Sequence, residues 1–488
     1  DRNMKKLYRF SAIALLVLPL VFTSCSDYLD RDDDDNITEA DVFARYEKVN
    51  GLVSDVYAAA KKADRPLVFF EHFSNSAITD ECEGTNVEGN ITNNFNNGAW
   101  NPNSLPGSVG QYWEALYEGI RKANLIIENV QKYNTPDNPQ QDGDLRNRIG
   151  EMYFMRGYFH MLLLRMYGEA PYIDRAINAG DNMDFKKESV HSMVEKIVTD
   201  AQTAYGMVPN KYVKTSENFG RVDKGACLGL ISFVRWVAAT PLWNGASQYG
   251  YNLRRVFENE YAYDATRWRK AKEAAKAVLD FEVGGTKRYS LYTKHDANDF
   301  KDPADGNLND SRVYARLWDM FYDMDAFANE YVFFMTKSKD QAWQGDIYPP
   351  SREGSSRQQP VQEQVDEYEY IVGDYGYPVY SAEARKGGYD DTNPYVKGTR
   401  DPRFYRDVIY HGAPYRNNKN ESKTINTASG SDKIGATNAT TTGYYLRKFQ
   451  QESWNKSGNF SINAPAIWRL PEFIYIYAEA CNELGEDI

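Results

Sequence analysis

Six stretches of this chain carry apolar residues at helical spacing, and that periodicity restricts it to a mainly α fold. In "YWEALYEGIRKANLIIENV", Trp113, Leu116, Tyr117, Ile120, Ala123, Ile127 and Val130 form one buried stripe, while Glu114, Glu118, Arg121 and Glu128 fall on the opposite face. A second helix, in "LRNRIGEMYFMRGYFHMLLLRMYGEAP", repeats the pattern with Ile149, Met152, Tyr153, Leu163 and Met166, until Gly168 and Pro171 stop it. The third runs from an N-cap at Ser189 to Tyr205, with Gly206 closing it. The fourth spans Asp223 to about Thr240, before Pro241. Gly225 and Gly229 lie inside it, where each costs about 1 kcal/mol against alanine, so close approach of another helix is the reason to keep them. The fifth presents Trp268, Ala271, Ala275 and Val278. The last starts near Pro471, with Ile474, Tyr477, Ala478 and Cys481 expected inward.

Large residues facing small ones give these helices the packing of tetratricopeptide pairs, without a clean 34-residue repeat. Long polar stretches separate them, at 84–111, 284–311, 337–362, 373–403 and 416–443. Loops of that length are unusual unless they carry function or are mobile, so the expected architecture is a helical scaffold bearing large irregular loops. A net charge of -12 without a basic stripe argues against nucleic acid, whose phosphates demand clustered Lys and Arg. The four cysteines and five histidines form no CxxC or HExxH spacing, so no metal site is expected. The oxygen-rich run "DANDFKDPADGNLND" also lacks the spacing of a calcium loop. No GxSxG, P-loop or Rossmann fingerprint appears, and no catalytic residue is assigned.

The N-terminal part reads as an export signal. Met4 is taken as the start, Lys5, Lys6 and Arg9 supply a positive region, and Phe10 to Phe22 is uncharged and mostly apolar. That stretch is shorter than the roughly 20 residues a spanning helix needs, and Pro19 interrupts it, which favours a removed signal over a retained anchor. "FTSC" resembles the lipobox of bacterial lipoproteins, with Phe22 where an aliphatic residue is usual, so Cys25 is the expected lipidation site. An exported chain without a span needs acyl chains to stay at a membrane. Six of the nine residues from Asp27 to Asp35 are Asp, a run that suits a solvated tether. The closing "RLPEFIYIYAEACNELGEDI" reads as a helix followed by nothing, and a missing C-terminal segment is expected.

In order along the chain, "WEALYEGIRKANLIIENV", "EMYFMRGYFHMLLLRMYGEAPYI", "GRVDKGACLGL", "RWRKAKEAAKAVLD", "PVQEQVDEYE", "NPYVKGTRDPRFY", "TGYYLRKF" and "WRLPEFIYIYAEACNELG" resemble motifs of the SusD/RagB family of Bacteroidetes outer-membrane lipoproteins. The resemblance implies tetratricopeptide-like helical pairs packed against a loop-rich region. It implies a lipid-anchored, outward-facing protein that captures oligosaccharides, or in some branches peptides, and passes them to a SusC-type TonB-dependent transporter. The expected organisation is upstream residues and signal peptide over 1–24, an acidic tether over 25–36, a helical part over 37–283 and a loop-rich part over 284–488.

Glycan binding needs aromatic faces for the C–H side of a sugar and short polar side chains for its hydroxyls. The stretch 84–111 supplies both: Trp100 stands among asparagines that include Asn97 and Asn101. In the family, the region after an early acidic pair, here Asp80 and Glu81, contributes binding residues. The competing reading makes the asparagines turn chemistry and Trp100 a loop anchor. Trp343 and Tyr348 are a second candidate group, whereas Trp318 reads as core. Arg400 and Arg403 are expected to pair with Asp401 or Asp407 and fix a turn rather than bind an anion. The leading expectation is a binding protein without enzymatic activity or cofactor beyond the lipid on Cys25. A peptide-capture lipoprotein, a secreted glycoside hydrolase and a purely structural helical adaptor are its rivals.

Overall fold

A helix buried on nearly all sides forces its polar residues to find partners within the protein, and here such a helix organises the rest. In the computed structural model, which describes residues 38–487 apart from 64–73, 86–90, 102, 134–138, 213–216, 246–255, 294–319, 322, 336–344, 397, 417–421 and 451–465, that helix is Pro139–Tyr167. Cys25, Trp318, Trp343 and the oxygen-rich run 296–310 lie outside the described residues.

Besides three short helices at Met324–Asn329, Gln362–Asp366 and Ala382–Lys386, the described residues form α1 (Glu39–Phe43), α2 (Tyr46–Ala63), α3 (Ile91–Asn96), α4 (Gly107–Tyr133), α5 (Pro139–Tyr167), α6 (Val190–Met207), α7 (Lys224–Ala239), α8 (Ala265–Leu279), α9 (Pro402–Asp407) and α10 (Leu470–Leu484). From α4 to α8 each packs on the next in chain order, α2 lies against α4 and α5, and α10 returns to cover α8. This is the expected stack of helical pairs. Along α5, every residue from Glu151 to Leu164 is buried except the half-buried Tyr153. Its polar members are all engaged. Arg156 donates to both Asp200 oxygens on α6 (2.8 and 2.5 Å), to Asn124 Oδ1 on α4 (2.8 Å) and to the Asp174 carbonyl (2.7 Å). Glu151 accepts from Arg148, Arg221, Tyr212 and the Tyr57 hydroxyl of α2. His160 is pushed down to about 3 by burial, so its ring is neutral at ordinary pH. The ring then donates from Nδ1 to the Arg156 carbonyl (2.8 Å) and accepts the Ile173 N–H on Nε2 (3.0 Å).

The helix limits follow the sequence signals. Ser189 accepts from the Ser192 N–H and Asp223 from the Ala226 N–H, each capping the helix it precedes. Trp268, Ala271, Ala275 and Val278 are the buried stripe of α8, as expected. Gly225 and Gly229 do admit close neighbours: a helix approaches Gly229 as expected, whereas a loop tyrosine approaches Gly225. A Cβ at Gly225 would overlap the Tyr289 hydroxyl of a loop, and one at Gly229 would lie 2.9 Å from Val332 and 3.2 Å from Phe473 of α10. The inward stripe of α10 is also corrected. Phe473, Ile476, Ala480 and Cys481 are buried, whereas Ile474 is 40% exposed, because the helix enters from a strand that sets its rotation one residue earlier.

That strand is β7 (Ala466–Arg469), paired antiparallel and irregularly with β3 (Tyr331–Phe334). Phe333 and Trp468 reach into the helical core, where Phe333 meets Phe154 and Tyr158 edge-on (5.0 and 5.3 Å between ring centroids). The core of the helical part therefore extends across the division expected near residue 283. The rest of the loop-rich region is stitched by short ribbons. β1 (Ile78–Thr79) and β2 (Cys82–Gly84) make a hairpin that β4 (Gln358–Pro360) extends, and β5 (Val408–Ile409) pairs with β6 (Tyr445–Leu446). Tyrosines pin these loops. The hydroxyls of Tyr405, Tyr445 and Tyr331 donate to the carbonyls of Val396, Asp432 and Met320. Arg403 pairs with Asp401 (2.5 Å) as expected, but Arg400 is buried and donates to the Tyr368 and Val365 carbonyls (2.8 and 2.6 Å), because loop backbone rather than a carboxylate surrounds it.

Two stability outcomes follow from this packing. Gly225→Ala should destabilise the protein by about 1–3 kcal/mol through overpacking, whereas Gly51→Ala on α2, with open space at its Cβ, should be neutral or stabilise by up to about 1 kcal/mol; urea unfolding compares the two. His160 resists protonation in the folded state down to about 3, while in the unfolded chain it titrates at about 6.5. Stability should therefore fall as pH drops through that window, by up to about 1.4 kcal/mol per pH unit from this group. His160→Gln should flatten that slope in unfolding curves taken at a series of pH values.

Candidate ligand-binding site

The β1–β2 turn places Asp80 and Glu81 at its exposed tip, set by the antiparallel pairing of Thr79 with Cys82. Behind it, Ala77, Ile78 and Ile91 form a small apolar cluster on which Trp100 packs. Asn96 at the end of α3 donates to the Ala77 carbonyl (3.2 Å) and to Glu83 (3.3 Å), tying α3 to the hairpin. Gly98, with φ 71°, then turns the chain so that Trp100 lies edge-on to Phe95, 4.9 Å between centroids. Trp100 stays half-buried, and Asn97 and Asn101 on either side of it are exposed. Asn101 accepts the Asn103 N–H on Oδ1 (2.9 Å), which is turn chemistry. The turn reading of this stretch therefore holds: the asparagines shape the loop, and Trp100 anchors it while remaining half-buried.

On the other flank of the same three-stranded sheet, a cleft of about 690 Å³ opens between β4, α9, β6, β7 and the first turn of α10. Ser76 lines it, next to the Ala77 that supports Trp100. Its aromatic wall includes Phe321, Tyr368, Phe449 and Tyr475, and its charged wall Glu81 at the exposed hairpin tip, Arg403, Arg406, Asp407, Lys448, Arg469 and Glu472. Most of these charges are spoken for. Arg406 forks onto Asp407, which also accepts from the Tyr368 hydroxyl (2.9 Å). Arg469 bonds Glu330 (3.1 Å), and Arg403 is held by Asp401. Lys448 and Glu472 differ: among the described residues neither forms an ion pair. Burial lowers the Lys448 ammonium from its ordinary range. Burial likewise pushes the Glu472 carboxyl up to about 7, against the pull of Arg165 and Arg469. The Cys82 thiol in the cleft wall is pushed up to about 12 by burial, which leaves it without nucleophilic character at neutral pH.

Trp100, Asn97 and Asn101 thus share one loop, and Asp80 sits on the hairpin that supports it. Tyr348 does not join them. It is fully buried with Ile409, Tyr415 and Tyr445, with the Arg352 guanidinium 4.9 Å from its ring, so it anchors a loop and offers no face to solvent. The cleft was not anticipated, because its lining comes from segments hundreds of residues apart and no local spacing marks them. Among the described residues no cluster of three or more His, Cys, Asp or Glu side chains is placed to hold a metal ion, and no helix is long and apolar enough to cross a membrane.

Residues 27–234 match a SusD-like family model described as starch-binding and associating with the outer membrane. Residues 244–487 match the model of the SusD family, SusD/RagB. A SusD-like protein of Formosa agariphila is 25% identical over 202 residues, which make up 41% of this chain and only 38% of that relative. Two solved structures from Bacteroides fragilis share the fold. One, a SusD-like protein, superposes with a TM-score of 0.69 at 18% identity, over 93% of this chain and 78% of its own. The other, a SusD-like carbohydrate-binding protein, gives 0.66 at 14% identity, over 92% and 76%.

Cys82, Cys227 and Cys481 are all buried as free thiols. They should stay unreactive towards a thiol-specific chromogenic disulfide in the native protein and titrate together on unfolding. Fast labelling of Cys82 under native conditions would contradict the closed cleft wall described above.

Proposed function

The chain belongs to the SusD/RagB family, and we propose that it is a cell-surface lipoprotein of the outer membrane that captures oligosaccharides and delivers them to a SusC-type TonB-dependent transporter. The observation that carries the capture step is Trp100, half-buried and flanked by the exposed amides of Asn97 and Asn101. A fixed indole face suits the C–H side of a pyranose, and its loop is already folded, so little ordering remains to oppose binding. Amides of asparagine both donate and accept, which matches sugar hydroxyls. The carbohydrate-binding relative of known structure supports the same ligand class.

The membrane assignment draws on the family description and on the sequence. Cleavage before Cys25 and acylation there would hold the chain at the membrane, since one acyl chain binds marginally and more than one durably. The aspartates from Asp27 to Asp35 would then form a hydrated spacer. Trp343, in a polar stretch like that of Trp100, is a further proposed ligand contact. In this reading the protein binds without cleaving, and the transporter completes the uptake step.

Isothermal titration of the mature protein against a glycan panel tests the reading. Trp100→Ala should weaken the preferred oligosaccharide by about tenfold or more, with the fold unchanged by circular dichroism. Ligand length should stay constant on prolonged incubation. Shortened products would replace capture with hydrolysis, and undiminished affinity in the variant would move the site elsewhere.

A further inference from the structure

The cleft beside the small sheet contains a cation without an ion-pair partner among the described residues. Its three arginines are committed, Arg403 to Asp401, Arg406 to Asp407 and Arg469 to Glu330. Lys448 is held from its backbone, which donates to the Asp407 carbonyl (3.3 Å), and its ammonium lies 5.3 Å from the Phe449 ring. Asp407 and Glu81 act on that ammonium from a distance, but no described carboxylate comes within ion-pair distance of it. Lys448 is half-buried, and a partly desolvated cation without a close counter-ion is costly, so a fold keeps one where something else supplies the anion.

We propose that this cleft takes a carboxylate-bearing sugar, a uronic acid residue of an oligosaccharide, with Lys448 holding the carboxylate. The inference rests on the reading of the chain as a glycan-binding protein. The rest of the wall fits the remainder of such a ligand. Tyr475, 68% exposed at the cleft mouth, offers a ring face to a pyranose. Ser76 and Gln364 line the cleft, and among the described residues their side chains have no hydrogen-bond partner, which leaves them for hydroxyls. A volume of about 690 Å³ lies inside the common range for small-molecule clefts of about 300–1,000 Å³. Glu472 would repel an anion if ionised. Burial raises its carboxyl to about 7, so below that pH it is mainly the neutral acid and donates a hydrogen bond to a carboxylate or ring oxygen.

The test titrates the full chain with tetrasaccharides of galacturonate, glucuronate and mannuronate, each against its carboxyl-reduced form, which keeps length and linkage and replaces every carboxylate with an alcohol. At least one acidic tetrasaccharide should bind about tenfold tighter than its reduced partner. Lys448→Gln should remove that difference while leaving the reduced form's affinity in place, and Lys448→Arg should retain most of it. Thermal melts of both variants report folding. Equal affinity for every acidic and reduced pair overturns the proposal, as does a preference that Lys448→Gln leaves intact. Stronger competition by a tetrapeptide with a free C-terminal carboxylate than by any uronate also overturns it, and assigns the cleft to peptides. Neutral glycans that still bind in those cases keep the glycan reading standing. Failure of every saccharide, neutral ones included, removes that reading and this inference together.

Discussion

Arg156 is the point through which the helical part is held together. Its guanidinium lies in the most buried helix and spends its donors on Asp200 of α6, Asn124 of α4 and the Asp174 carbonyl of the segment that leaves α5. Tyr172 donates to the same carboxylate (2.6 Å) and stacks on His160, 3.7 Å between ring centroids. A buried ion pair of this kind contributes little net stability over an apolar core, yet removing one partner strands the other and costs several kcal/mol. Its value is therefore geometric: three helices and a return segment can meet in only one register. That register sets the apolar floor of Phe154 and Tyr158, on which Phe333 and Trp468 settle. The same two strands carry Tyr331 and Arg469 into the cleft wall, so the clamp in the helices reaches the site through one layer of rings.

Much of this was legible along the chain. The stripes of α4 and α8, the caps at Ser189 and Asp223 and the crowding at Gly225 and Gly229 are local features, and local features follow from spacing and cap chemistry. The register of α10 was misread because an exposed Ile474 and a buried Phe473 are equally apolar, and only the strand before them decides which turns inward. Tyr348 was misplaced for a similar reason. A tyrosine in a polar stretch looks available, but Tyr415 and Tyr445, far along the chain, close over it. The aspartate and arginine pairs were half legible, since Arg403 follows its neighbour Asp401, whereas Arg400 answers to carbonyls that only the folded loops bring near.

The two candidate surfaces differ in the chemistry they would offer a ligand. The Trp100 loop offers an aromatic face and amides at the surface, where shape and stacking decide affinity. The cleft offers charge in a protein-walled space, where each interaction with an ion is stronger and each mismatch more costly than in open water. They adjoin the β1–β2–β4 sheet, and in the turn that leads into it the consecutive residues Ser76 and Ala77 belong one to the cleft lining and the other to the Trp100 cluster. The many tyrosines fix irregular backbone through a hydroxyl while giving the loop a ring to pack, and so replace the regular ladders that these segments lack.

The pairing of α10 with α8 also governs when the protein can fold. Trp468, Leu470, Phe473 and Ile476 complete a core whose other members precede residue 280, apart from Tyr289, Val332, Phe333 and Met335. Contacts of such sequence separation carry a large loop-closure entropy and form late. During synthesis, the groove between α7 and α8 stays uncovered until the segment around residue 470 has emerged. The chain is therefore built to remain incompletely packed for most of its time on the ribosome.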